Sequence, residues 1–188
     1  MENSKARRIA FYGVLSAIMF VFLLIETYLF KIFFGNFTPA ILTLPFAVAL
    51  SLFKGKGKMW MGGLIFGACS FFLAVCIGNP IFLNPLISIF PRIFIGVVAY
   101  FVYFISEKIL KNAKNNYLKE DLPVSIAGVF GILANTVLTL TMMWAFNSAE
   151  LASVLTVILS VNFLGEVIGA FILVPVYKKV LKRVEKKL

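Results

Sequence analysis

The sequence contains no histidine, only two cysteines and few charged residues. Charged residues make up 14% of the chain and hydrophobic residues 61%. A soluble domain carries about 25% charged residues and roughly 45–50% apolar residues. Cys69 and Cys76 lie seven residues apart on one predicted helix, too far along its axis for a disulfide. With no histidine beside them, they predict neither a metal site nor a cofactor site. This composition excludes an ordinary soluble enzyme, a disordered chain and a nucleic-acid-binding module.

What the sequence does have is a series of six long apolar stretches. They cover residues 9–34, 37–53, 59–77, 81–105, 123–146 and 151–177. A membrane-spanning helix needs roughly 20 apolar residues, so six stretches almost fill the 188 residues. The sequence therefore predicts an all-α polytopic membrane protein with six transmembrane helices in a single domain, residues 1–188.

The basic residues predict the orientation of these helices. The net charge is +10 from 18 lysines and arginines and 8 acidic residues. Sixteen of the 18 basic residues fall at the two termini and in the loops after the second and fourth stretches, all on one side of a six-helix arrangement. Because basic loops stay in the cytoplasm, both termini are predicted to be cytoplasmic. Topology and attraction to anionic lipid explain the charge without a nucleic acid.

Four polar residues lie deep within the predicted spans. Arg92 is in the fourth stretch, Asn135 in the fifth, and Asn162 and Glu166 are one helical turn apart in the sixth. An ionisable group at the centre of a span costs at least ~2.5–3.5 kcal/mol and suggests a functional site. The four residues predict a polar pocket in which Arg92 holds a small anion. The alternative is that Arg92 and Glu166 pair with each other and hold helices together.

Two other features bear on this pocket. Pro91 directly precedes Arg92, and Pro85 lies six residues before Pro91. Prolines interrupt the hydrogen bonds of a helix, and in a membrane span this is tolerated where the helix lines a cavity. Trp144, near the predicted outer end of the fifth stretch, belongs either to the interfacial aromatic belt or to the ligand site. Small residues on the first stretch, Ala10, Gly13 and Ala17, form a face that another helix can approach closely.

Several of these segments resemble the substrate-binding S-components of energy-coupling factor (ECF) vitamin importers. The resemblance includes the Gly13/Ala17 face, the segment 84–96 around Arg92, the segment 134–137 around Asn135 and the segment 162–166 that ends at Glu166. It covers nearly the whole chain. The last three segments look most like the pantothenate-type branch of the family.

The resemblance implies a six-helix protein of the bacterial plasma membrane that captures a water-soluble vitamin and has no enzymatic activity. Its partners would be a transmembrane coupling subunit and two cytoplasmic ATPases, since this chain has no nucleotide-binding motif. It implies substrate binding by Asn84, Arg92, Asn135, Trp144, Asn162 and Glu166, and docking through Ala10, Gly13 and Ala17. The loop at residues 34–39 would form a lid. Pantothenate is the favoured ligand, with folate or another vitamin as the alternative.

Two other functions stay open on the sequence. A stand-alone secondary carrier would couple transport to protons through Glu166. An intramembrane enzyme would need Glu166 as its general base, with no histidine, serine–lysine pair or metal to assist it. Copurification of a coupling subunit and ATPases separates the importer from the carrier, and tight vitamin binding by the isolated chain separates it from the enzyme.

Overall fold

The computed structural model describes residues 2–30, 32, 40–54, 56–146 and 161–187. Within these ranges the chain is helical, and its seven α-helices are α1 (Glu2–Ile25), α2 (Thr43–Lys54), α3 (Met61–Ile77), α4 (Pro85–Ser88), α5 (Phe90–Leu110), α6 (Leu122–Ala145) and α7 (Val161–Lys187). A π-helical segment, Glu26–Phe30, continues α1, and a second, Tyr117–Asp121, precedes α6. The all-helical prediction is confirmed for the described residues.

Three helical segments of the described chain are long and apolar enough to cross a membrane. They are Ile9–Leu29, Pro85–Leu110 and Tyr117–Ala145, of 21, 26 and 29 residues. Thr43–Phe53 and Met61–Ile77 are shorter apolar helices. At 1.5 Å per residue the first of these two is about 17 Å long, against a hydrocarbon core of about 30 Å.

The second helix is the centre of the molecule. Every residue from 43 to 52 is buried, and α2 packs against α7, α3, α5 and α6. A helix that is apolar on all sides is stable only when other helices surround it. The apolar stretch 37–53 contains this helix, which begins at Thr43. Pro45 lies in its first turn, where the missing N–H breaks no helical hydrogen bond.

The fourth predicted stretch is broken, as the prolines indicated. Pro85 begins the short helix α4, whose last residue is Ser88, and α5 starts at Phe90 with Pro91 in its first turn. Asn84 caps α4, because its side-chain oxygen accepts the N–H of Leu86 at 3.0 Å. The break leaves Arg92 within the first turn of a new helix.

A proline inside α7 is compensated by a neighbouring helix. Pro175 has no N–H, so the carbonyl of Phe171, four residues earlier, loses its usual helical donor. The hydroxyl of Ser125 on α6 donates to that carbonyl at 2.7 Å. This bond gives the free carbonyl a donor and links α6 to α7.

Candidate functional site

A cavity of about 190 Å³ lies beside the start of α5. Its walls come from the end of α1, from α3, from the turn after α3 and from α5. Residues of four kinds line it: charged (Glu26, Arg92), polar (Thr27, Ser70, Asn79), aromatic (Phe66, Phe82) and aliphatic (Leu23, Ala40, Leu73, Ala74, Ile77). Mostly apolar walls with a few convergent polar groups are typical of small-molecule sites.

Arg92 is the cationic group of this cavity. Its side chain is 7% exposed, and its Nη1 donates to the carbonyl and hydroxyl oxygens of Ser88. The guanidinium carbon lies 4.7 Å from the ring centroid of Phe66 and 5.3 Å from that of Phe82. Its Nε is buried and has no acceptor among the described residues. A buried guanidinium with an unused donor is a ready site for a carboxylate.

Close packing of α3 against α5 holds Arg92 in this position. A Cβ atom on Gly63 would collide with the backbone carbonyl of Arg92, and one on Gly67 would lie 2.9 Å from Cα of Ile89. Only glycine at position 63 permits this approach of the two backbones. The cavity wall that carries Phe66 is therefore set by glycines on the same helix.

Glu26 is a site residue that the sequence analysis missed. It is 2% exposed, and its carboxylate accepts the N–H groups of Leu42 and Thr43 and the hydroxyl of Thr43. These donors lie at the start of α2, whose first N–H groups have no partner within the helix. Its position in the sequence could have indicated this role, because Glu26 is an ionisable residue within the apolar stretch 9–34.

Like Glu26, Glu166 accepts a backbone N–H group from the segment before α2. Its Oε1 accepts the N–H of Ala40 at 3.0 Å, and Ala40 lines the cavity. Two carboxylates, from α1 and α7, thus hold the short segment that leads into α2. Arg92 and Glu166 have separate partners in the described chain, so the ion pair considered as an alternative is not formed in this structure.

Among the predicted binding residues that the structure describes, Arg92 alone lines this cavity. Asn135, on α6, has a buried side-chain oxygen without a partner in the described part of the chain, as has the hydroxyl of Thr139 one turn later. Asn84 caps α4. Trp144 is 57% exposed near the end of α6. The side chain of Asn162 and the loop 34–39 lie outside the described residues.

The predicted docking residues lie together on the outside of α1. Ala10, Gly13 and Ala17 are exposed, and a Cβ atom on Gly13 would meet nothing within 4 Å. The opposite side of the same helix is buried through Leu15, Met19 and Leu23. The small residues therefore take no part in packing within the described chain.

Comparison with known proteins adds one relative of nearly equal length. No protein-family model matches the chain. The chain is 30% identical over 194 residues to the pantothenic acid transporter PanT of Lactococcus lactis subsp. cremoris strain MG1363, and the alignment covers 92% of each protein.

Proposed function

Because the chain belongs to the pantothenate-type S-components of ECF transporters, we propose that it captures pantothenate at the outer face of the bacterial plasma membrane. The family resemblance inferred from the sequence is confirmed by the relative, which covers nearly the full length. That relative is a transporter of pantothenic acid by its name. Binding and release, with no catalysis, is the activity we propose for this chain.

The observation that carries this proposal is the buried Arg92 with its unused Nε donor. Pantothenate has one carboxylate, an amide and two hydroxyls on a flexible chain. Where water is excluded, its carboxylate needs a fixed cation, and a guanidinium offers a planar two-pronged match. The rings of Phe66 and Phe82 both lie against this guanidinium and so reduce its freedom before the ligand arrives.

The remaining polar groups of the cavity suit the other end of such a ligand. Thr27, Ser70 and Asn79 line the same space and can donate to or accept from hydroxyls and an amide. Glu166 would contribute by holding Ala40 in the wall. Direct contacts from Asn84, Trp144 and Asn162 stay predictions. A direct contact from Asn135, whose side-chain oxygen has no partner among the described residues, also stays a prediction.

We also propose six membrane crossings with both termini in the cytoplasm. The lysine- and arginine-rich segments support this orientation. The short helices α2 and α3 would cross within the bundle, where the other helices enclose them. The exposed face of Ala10, Gly13 and Ala17 would dock on a coupling subunit that carries two ATPases, and the loop 34–39 would close over the ligand.

Ligand affinity of arginine variants tests the proposed site. Isothermal titration of the detergent-purified chain with pantothenate should show at least about tenfold weaker binding for Arg92→Lys, a loss of about 1.4 kcal/mol. Arg92→Ala should bind more weakly still, since truncating a buried charged contact costs about 2–5 kcal/mol. Arg183→Lys, the same change at an exposed position of α7, is the matched control and should bind as the parent does.

The double variant Arg92→Met, Glu166→Leu separates ligand binding from helix packing. If Arg92 serves only to hold helices, the folded double variant retains pantothenate affinity. Retained affinity would exclude the carboxylate site. Titration of folate, riboflavin and pyridoxine in the same assay measures whether another vitamin binds better.

A stand-alone proton-coupled carrier is the second candidate, and the carboxylates of Glu26, which is buried, and Glu166, which is partly buried, favour it. Both carboxylates, however, already accept backbone N–H groups. Purification from the native membrane decides between the candidates. A coupling subunit and ATPases should accompany the importer subunit, whereas a carrier should come alone and respond to a proton gradient in vesicles.

A further inference from the structure

A second cavity lies at the other end of α5 from Arg92. Its volume is about 720 Å³, and its walls are the ends of α5 and α7 and the start of α6. Six lysines line it: Lys108, Lys111, Lys119, Lys178, Lys179 and Lys182. Nothing in the proposed capture of a vitamin uses this cavity, which is on the side where the basic loops lie.

Lys178 distinguishes this cavity from an ordinary set of solvated surface lysines. Its side chain is only 8% exposed, and its Nζ lies 3.8 Å from the ring centroid of Tyr103. No carboxylate pairs with it in the described chain. A lysine this deeply buried with no salt bridge is rare in proteins, so topology alone does not account for it.

The acidic residues of the cavity are engaged elsewhere. Asp121 pairs with Lys179 at 2.6 Å, and Glu107 accepts the hydroxyl of Tyr103 at 2.6 Å. Glu120, the third acidic residue in the wall, is exposed. Six lysines against three acidic residues leave a positive field, and Lys178 is its most buried charge.

The pKa of Lys178 reflects its burial among other lysines. Burial, and then the charge of Lys182, lower the pKa of Lys178 to about 8, although Glu107 and Asp121 act in the opposite direction. Lys178 lies just beyond the last predicted apolar stretch. A bound anion would offset the loss of hydration and favour the charged ammonium.

Exposed apolar side chains lie in the wall of the cavity and beside it. Phe104, which lines the cavity, is 56% exposed. Next to it along α5, Ile105 and Ile109 are 56% and 74% exposed. On α7, Val176 and Val180 are each 49% exposed. An anion bound here would have hydrocarbon chains as neighbours if it belonged to a lipid.

We propose that this cavity binds the phosphate headgroup of an anionic phospholipid, with Lys178 as its innermost contact and the exposed lysines around it. Basic pockets between helices at the cytoplasmic surface are a known form of lipid headgroup site. The same lysines could bind a free phosphate ion, but the exposed apolar side chains beside them favour a lipid. The proposal needs only that the chain lies in a membrane, and it does not depend on which vitamin is bound.

Lipid binding to the purified chain tests this proposal. Native mass spectrometry in detergent, with phosphatidylglycerol or phosphatidylcholine added, measures how much of each lipid is retained. We expect phosphatidylglycerol to bind the parent chain at least about tenfold more tightly than phosphatidylcholine. Lys178→Gln should weaken it about fivefold, the usual contribution of one lysine at an anionic surface. Lys58→Gln is the matched control, because Lys58 is exposed and its Nζ lies 5.8 Å from the ring centroid of Tyr12. It should bind phosphatidylglycerol as the parent does.

A second variant keeps the test decisive if Lys178→Gln does not fold. The triple change Lys108→Gln, Lys111→Gln, Lys182→Gln alters only exposed side chains and should weaken phosphatidylglycerol binding by about a hundredfold. Equal retention of both lipids, or unchanged binding in the triple variant, would overturn the proposal. So would thermal stabilisation by inorganic phosphate in the absence of selective lipid binding. Pantothenate titration of the same variants reports separately on the vitamin site.

Discussion

Two helices of this protein carry small residues on one face, and the structure places the two faces in opposite situations. On α3, Gly62 and Gly63 are buried, and a Cβ atom on either would collide with a backbone carbonyl of α2 or α5. On α1, Gly13 and its neighbours are exposed, and a Cβ atom on Gly13 would meet nothing. Small residues thus predict close helix contact but not which partner makes it.

The small-residue face of α3 is packed within the protein, whereas that of α1 has no partner in the described chain. The α3 face completes the wall of the Arg92 cavity, so its glycines serve the chain's own fold. The α1 face adds nothing to the described fold, which leaves it free for another protein. Three substitutions, ordered by their expected effect on stability, test this division.

Gly63→Leu should have the largest effect on stability. The leucine side chain has no space beside the backbone of Arg92, and overpacking that requires backbone shifts costs typically about 1–3 kcal/mol and occasionally more. We expect little folded protein by size-exclusion chromatography in detergent. Gly63→Ala should fold in part and bind pantothenate more weakly, because α5 must move to admit even one carbon atom.

Gly13→Leu provides the matched control, with the same substitution on the open face. Normal folding and ligand affinity in Gly63→Leu would show that the two faces do not differ as the structure indicates.

Glu26→Gln should have an intermediate effect. The carboxylate accepts three hydrogen bonds at the start of α2, and the amide loses both the charge and one acceptor. A hydrogen bond to a charged group contributes about 1.5–3 kcal/mol, so we expect a loss of about 2 kcal/mol. Thermal unfolding of the purified chain with and without pantothenate measures it.

Glu166→Gln serves for comparison with Glu26→Gln, because its carboxylate accepts one N–H group, from Ala40. It should destabilise the chain less than Glu26→Gln. The opposite ranking would mean that the attachment of α1 to α2 through Glu26 contributes less than the contacts indicate.

Gly13→Leu should leave stability nearly unchanged and yet abolish uptake. The new side chain projects into open space, so unfolding temperature and pantothenate affinity should match those of the parent. A docking face that needs close approach would be blocked. Uptake of labelled pantothenate by cells that carry the variant with its partner subunits measures this effect.

Ala17→Leu, on the same face, should behave as Gly13→Leu does, whereas Val14→Leu adds one methylene group at a side chain that is already exposed and should transport. Loss of vitamin binding by purified Gly13→Leu would show that this face is internal packing, contrary to the structure.

Much of the architecture followed from local features of the sequence. Hydrophobic runs predicted the helices, because a backbone in lipid must satisfy its own hydrogen bonds. The apolar stretch 37–53 did not mark the first residue of α2, whose first N–H groups donate to Glu26, a residue of another helical segment. The break before Arg92 was predictable, because Pro85 and Pro91 act on their own helix.

The composition of the site was predictable only in part. Arg92 stood out as the one basic residue deep in a predicted span. Its companions in the cavity, Phe66, Phe82 and Glu26, come from other elements, and their meeting depends on how each helix is rotated and packed. No spacing in the sequence relates them.

The sequence by itself determined that this chain is a helical membrane protein and that Arg92 needs a partner, and it predicts the side on which the basic loops lie. These properties depend on composition and on neighbours within one helix. The tertiary structure alone decided that Glu166 holds Ala40, 126 residues away, and that Lys178 is buried beneath Tyr103. Such contacts arise only when helices pack, since packing selects which faces are enclosed and which stay open.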